Sequence, residues 1–190
     1  RINKPILVKR KELIINLKKI HISIDIPNFL INLTYLNCSY KNISKIPNTL
    51  INLTYLNCLC SKITEIPNTF INLTYLDVSG NNLTSIPKQI KFLTNLINFK
   101  CSKNKLTQLC EDNESIKYLT KLEVYICEEN NLIEIPESIK YLKNLKHFSC
   151  YNNKITTICS NFEFIGYLNN LTYLDISFNK IICVPEYIYT

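Results

Sequence analysis

A fifteen-residue pattern recurs seven times along this chain, and its spacing limits the fold more than any other feature. The clearest copy, Leu73 to Pro87, reads LTYLDVSGNNLTSIP, or L-x-x-L-x-V-x-x-N-x-L-x-x-I-P. The first leucines of the copies are Leu33, Leu53, Leu73, Leu96, Leu122, Leu145 and Leu171. They are separated by 20, 20, 23, 26, 23 and 26 residues. The first half of each copy keeps a constant length, and all insertion falls after the Ile-Pro. Self-similarity at such a period marks a solenoid, in which each copy is one structural unit stacked on its neighbours.

The two halves of a copy have different periods. In Tyr35, Leu36, Asn37, Cys38 and Ser39 apolar and polar residues alternate, which predicts a short strand with one buried face. Stacked copies then form a parallel sheet with one strand per repeat. The return path reads I-P-x-x-I-x-x-L-x-x-L, as in Ile86, Pro87, Ile90, Leu93 and Leu96. Apolar residues three or four apart predict short helical or 3₁₀ turns on the far side. The 20-residue steps drop one such turn. In the 26-residue steps Cys110 and Cys159 replace the proline and three residues are added.

These residues resemble the leucine-rich-repeat family, whose pattern is LxxLxLxxNxL. The resemblance covers about residues 17 to 190. It implies an α/β solenoid, a horseshoe with a concave parallel sheet and irregular, 3₁₀ or short helical segments on the convex side. Residues 1–190 are read as one domain of about eight repeats, with residues 1–19 as a basic N-terminal cap. Within it, Leu17, Ile20, Ile22 and Ile26-Pro27 look like a shortened first repeat. Frequent Ile, Asn, Lys and Tyr, with Cys at the inner strand position, is similar to repeat proteins of giant DNA viruses of amoebae.

Two ladders follow from the register. Cys38, Cys58, Val78, Cys101, Cys127, Cys150 and Ile176 share the inner strand position, where a thiol serves as a small apolar residue. Disulfides between rungs are disfavoured, because a bridge needs β-carbons about 3.8 Å apart and in-register strands hold them about 5 Å apart. There is no C-x-x-C, so no metal site is expected, and no cofactor. Reduced thiols imply a reducing compartment, read here as cytoplasm, or host cytoplasm for a viral source. The second ladder is Asn81, Asn104, Asn130, Asn153 and Asn179. By resemblance these side chains turn inward and bond loop backbone of their own and adjacent repeats. Lys41 and Ser61 take the position in the early copies, whose turns are expected to be less well tied.

The net charge of +7 is unevenly placed. Residues 1–19 carry seven Lys or Arg and one Glu, whereas residues 20–190 hold 15 basic and 14 acidic residues. The basic segment reads as a solvated cap on the first repeat, with electrostatic attachment to nucleic acid or membrane as the alternative. The chain has no Met, which implies a processed chain, and no apolar run long enough to span a membrane. Sequons such as Asn32-Leu33-Thr34 and Asn170-Leu171-Thr172 fall out of the repeat itself. The chain ends soon after the last copy, so an open strand edge there would permit self-association.

No catalytic constellation is visible. Two glycines, Gly80 and Gly166, exclude a Gly-rich phosphate loop, and His21 and His147 lie in distant repeats. The candidate site is the exposed sheet face, at two, four, six and seven residues after each first leucine. The singled-out residues are Tyr35, Tyr55, Tyr75, Asp77, Lys100, Val124, Ile126, Glu128, His147, Tyr151, Tyr173 and Phe178. The face holds two basic and four acidic residues and many aromatics. That composition suits a protein partner and argues against nucleic acid, which needs a basic stripe. The resemblance implies a non-catalytic recognition or adaptor surface, as in signalling, ubiquitin-ligase targeting or host–pathogen contact. The middle repeats break the pattern most, with Val124 and Ile126 beside Glu128 and Glu129.

Overall fold

The computed structural model describes residues 13–16, 26–158 and 163–182. The remainder of the basic segment, Leu17, Ile20, His21, Ile22, Cys159 and the tail from Val184 lie outside the described residues. The readings of a cap, of an electrostatic arm and of an open C-terminal edge therefore fall largely outside them as well.

The strands are β1 (Leu13–Asn16), β2 (Leu33–Asn37), β3 (Tyr55–Asn57), β4 (Tyr75–Asp77), β5 (Asn98–Lys100), β6 (Val124–Ile126), β7 (Glu134–Ile135), β8 (His147–Ser149), β9 (Thr157–Ile158) and β10 (Tyr173–Asp175). Among the described residues, eight of them form one parallel sheet in the order β1-β2-β3-β4-β5-β6-β8-β10. Every pairing from β2 onward puts like positions side by side: Tyr35 on Tyr55 on Tyr75 on Asn98 on Val124 on His147 on Tyr173. The period-two side-chain alternation holds this register, because a one-residue slip would turn Leu36, Leu56 and Leu76 out to solvent. At the first strand the register shifts by one residue between Leu13 and Ile14. This strand lies inside the basic N-terminal segment.

On the return side the 23- and 26-residue steps hold 3₁₀ turns at Lys88–Phe92, Ser115–Tyr118 and Glu137–Tyr141, and a short helix at Glu163–Gly166. Pro87 and Pro136 stand just before two of the turns in extended geometry, where their fixed φ and missing N–H cost nothing. A second, two-stranded parallel sheet pairs β7 with β9. No alternation in the sequence announces it. It forms because the chain runs extended after each bend, and stacking brings copies within backbone bonding distance.

The core is a continuous column, buried from Ile26 through Leu168 among the described residues. Three residues after the first leucine, Leu36, Leu56 and Leu76 give way to Phe99, Tyr125 and Phe148, all buried. Phe99 stacks on Tyr125 with centroids 5.2 Å apart, and Phe148 meets Tyr125 at a tilt, 5.8 Å away. The rings occupy the copies that begin at Leu96, Leu122 and Leu145, whereas the 23-residue copy at Leu73 keeps Leu76.

Candidate functional site on the exposed sheet face

Three rows of side chains build the face. In the first row Tyr35, Tyr55 and Tyr75 stack in parallel, with centroids 4.2 and 4.4 Å apart and planes within 9°. The in-register strands set that spacing, which is close to the optimum for offset aromatic pairs. Burial, then the neighbouring Asp77 charge, pushes the Tyr75 hydroxyl well above the ordinary tyrosine range. Lys100 extends its ammonium to 5.9 Å from the Tyr75 ring centre. Further along, His147 stacks on Tyr173 at 4.1 Å, and Tyr151 meets Phe178 at 5.0 Å. Val124 and Ile126 lie between these clusters, half-buried on β6.

The second row corrects one expectation. Asp77 is not an exposed contact residue: it is 7% exposed, and its Oδ1 accepts the Ser79 N–H at 2.9 Å. Asn37 and Asn57 accept from the amides of Ser39 and Leu59, and Asp175 from that of Ser177. This row is a series of Asx turns that start the bend out of each strand. The Ser177 hydroxyl and N–H hold the Asp175 carboxyl below the usual carboxylate range. Ser149 is also fully buried, and its hydroxyl donates to Glu128 Oε1 at 2.6 Å. Glu128 is thereby tied to β8, while its own N–H donates to Ser102 Oγ.

The bend itself is left-handed in every described repeat. Tyr40, Cys60, Gly80, Lys103, Glu129, Asn152 and Phe178 all have φ between 50° and 64°. Only Gly80 and Asn152 are residue types that favour this region, so composition concealed the row. The strain is held by pairing: the Cys60, Gly80, Lys103 and Glu129 amides each donate to a carbonyl of the next repeat at 2.8–2.9 Å. One residue later, Asn81 donates to the carbonyls of Cys58, Val78 and Ser79 and accepts from the Ile63 N–H. Asn104, Asn130, Asn153 and Asn179 repeat the arrangement. Ser61, at the same position, donates to Cys38 O at 3.3 Å.

A second asparagine ladder escaped the sequence reading. Asn52, Asn72, Asn95, Asn144 and Asn170 stand just before the first leucines, and each Nδ2 donates to a carbonyl of the preceding repeat. Thr54, Thr74 and Thr172 do the same with their hydroxyls, to Thr34, Thr54 and Lys146. The recurring Asn-Leu-Thr thus clamps neighbouring repeats, and its periodicity was the available signal.

The seven described cysteines are free. Cys38, Cys58, Cys101, Cys127 and Cys150 form a buried column interrupted by Val78. The thiols of Cys58 and Cys127 donate to the carbonyls of Asp77 and Ser149 on the next strands. Burial pushes Cys38 and Cys150 up to about 12, and Cys110 to about 11. Among the described residues no group of three or more His, Cys, Asp or Glu is placed to hold a metal ion.

One strand per repeat, an inward asparagine at the bends from Asn81 onward and 3₁₀ returns in longer repeats are now in place, and residues 72–93 and 170–189 match the family profile for the Leucine Rich Repeat. The fold is a leucine-rich-repeat solenoid. A leucine-rich-repeat protein of Leptospira interrogans is 30% identical with TM-score 0.71, over 81% of this chain and 39% of that one. The functional domain of InlJ from Listeria monocytogenes, described as including a cysteine ladder, is 26% identical with TM-score 0.63, over 92% of this chain and 41% of that one. An internalin, InlF, from the same species shares the fold, at 24% identity and TM-score 0.63, over 90% of this chain and 56% of that one. The chain thus spans about two fifths of the first two solved structures. No curated protein sequence matches it. The likeness to giant-virus repeat proteins rests on composition and gains no support from these comparisons.

Proposed function

We propose that this leucine-rich-repeat solenoid is a non-catalytic recognition module whose exposed sheet face binds a protein or peptide. Leucine-rich-repeat proteins generally serve as scaffolds for protein interaction. The tyrosine row carries the reading for this face. Tyr55 is stacked on both sides, so its ring faces are already occupied and its edge and hydroxyl remain for a partner. Ordered tyrosines offer large contact area at little further entropic cost, the property that enriches them at interface cores. Lys100 beside Tyr75, and His147 on Tyr173, add charge and hydrogen bonding at either side of the apolar Val124 and Ile126. The buried thiol column supports a reducing, cytoplasmic setting, which would be a host cytoplasm if the source were a virus.

Affinity capture tests this reading by comparing the parent chain with Tyr75→Ala/Ile126→Asp, once both melt alike. A protein held by the parent and lost by the variant supports the face as the site. Equal retention of the same partners by both chains removes it.

A further inference from the structure

Eight of the thirteen exposed large apolar side chains among the described residues lie off the sheet face, on the rim where the return path re-enters the sheet. Four of them form one column. Phe92, Tyr118, Tyr141 and Tyr167 each stand four residues before a first leucine, at the C-terminal end of a 3₁₀ turn or short helix, and each is about half exposed. A lysine ammonium sits over every ring: Lys91 over Phe92 at 5.4 Å, Lys117 over Tyr118 at 5.6 Å, Lys140 over Tyr141 at 5.4 Å, and Lys143 over Tyr167 at 4.8 Å. Lys140 also reaches the Tyr167 ring, so adjacent rungs are in contact. In the shorter repeats the rim carries Ile31, Ile51 and Ile71 instead, about half exposed.

We propose that this rim docks on an anionic lipid surface. Parallel stacking puts the side chains in a row, so they can meet a plane together. Aromatic rings beside lysines are the side chains that settle at a bilayer interface, with the ring at the headgroup level and the ammonium at the phosphates. Four lysines stand over the rings, against Glu114 and Glu137, which pair with Lys117 and Lys140. That excess is complementary to an anionic leaflet. Single-stranded nucleic acid fits less well, because the lysines lie over ring faces that bases would need for stacking, and the isoleucines offer a base or phosphate nothing. Attachment would be peripheral, since no described helix is long and apolar enough to cross a membrane.

The test is sedimentation of the full chain with phosphatidylcholine vesicles, with and without about a third phosphatidylserine. The parent should sediment with the anionic vesicles and stay in solution with the neutral ones. Phe92→Ser/Tyr118→Ser/Tyr141→Ser should weaken that partition about tenfold or more, with Lys117→Gln/Lys140→Gln as a milder variant if the triple melts low. Failure of the parent to sediment with anionic vesicles overturns the proposal. So does undiminished sedimentation of both variants, which would place the attachment elsewhere in the chain. Binding of a single-stranded RNA oligonucleotide that the triple variant loses, with no vesicle binding by the parent, would make the rim a nucleic-acid surface instead.

Discussion

The Tyr125 hydroxyl donates to the Leu109 carbonyl at 3.1 Å, and both residues are fully buried. One is the central ring of the core stack and the other precedes the insertion that makes its repeat step 26 residues long. The Leu109 carbonyl thus accepts from the one polar atom that the larger core ring brings inside.

Tyr125→Phe should therefore be destabilising although it keeps the ring. It leaves the Leu109 carbonyl buried without this donor, a loss of about 1–3 kcal/mol. Urea unfolding would show a lower midpoint with unchanged slope. An unchanged midpoint would mean that another donor replaces the hydroxyl.

The asparagine ladder predicts opposite signs at two rungs. Asn104→Ala removes three donated bonds and the acceptor for Leu83 N–H, so it should cost about 1–3 kcal/mol or more. Its melting temperature should fall by several degrees. Ser61→Asn should raise it, by supplying the amide that the serine lacks.

Gly80 has φ +64, and a β-carbon there would lie 2.6 Å from the Cys60 sulfur. Gly80→Ala should cost about 1–2 kcal/mol for the left-handed backbone alone, with the clash added. Cys60→Ala in the same chain should recover part of the loss, because it removes the nearest clashing atom. A double-mutant cycle in thermal unfolding measures the coupling.

The thiols set a limit on the alkaline side. Burial raises Cys38, Cys150 and Cys110 from the ordinary thiol range near 9 to about 12, 12 and 11 in the folded chain. The unfolded chain then loses these protons first. Their contribution is complete below about pH 9, and is lost as pH rises from there toward 11–12. Stability measured in urea should fall steadily above pH 9. In native protein at pH 8, a thiol reagent should label Cys60, which is partly exposed, well before Cys58, which is fully buried. Mass spectrometry of the labelled peptides distinguishes the two.

Much of this molecule is legible in the residues. Seven copies with a constant front half and insertions confined to the return path leave one economical arrangement, a parallel sheet with variable turns behind it. Alternation places Leu36 inside and Tyr35 outside, and stacking then aligns Tyr35 with Tyr55 and Tyr75. The face was harder to read. Asp77 looks like a surface carboxylate in an alternating strand, yet the bend draws it down onto Ser79 N–H. Asn52 and Asn72 look like by-products of duplication, and only the strand-to-strand spacing shows what they bond.

Periodicity, register and the apolar column follow from the residues alone, because these depend on short-range spacing that a solenoid copies from rung to rung. Tertiary structure decided which backbone groups needed partners and where. The carbonyl that holds each left-handed bend amide, the pairing of β7 with β9, and the reach of Lys140 and Lys143 to Tyr167 arise between repeats. Their causes are distances across about one rung, which no single repeat contains.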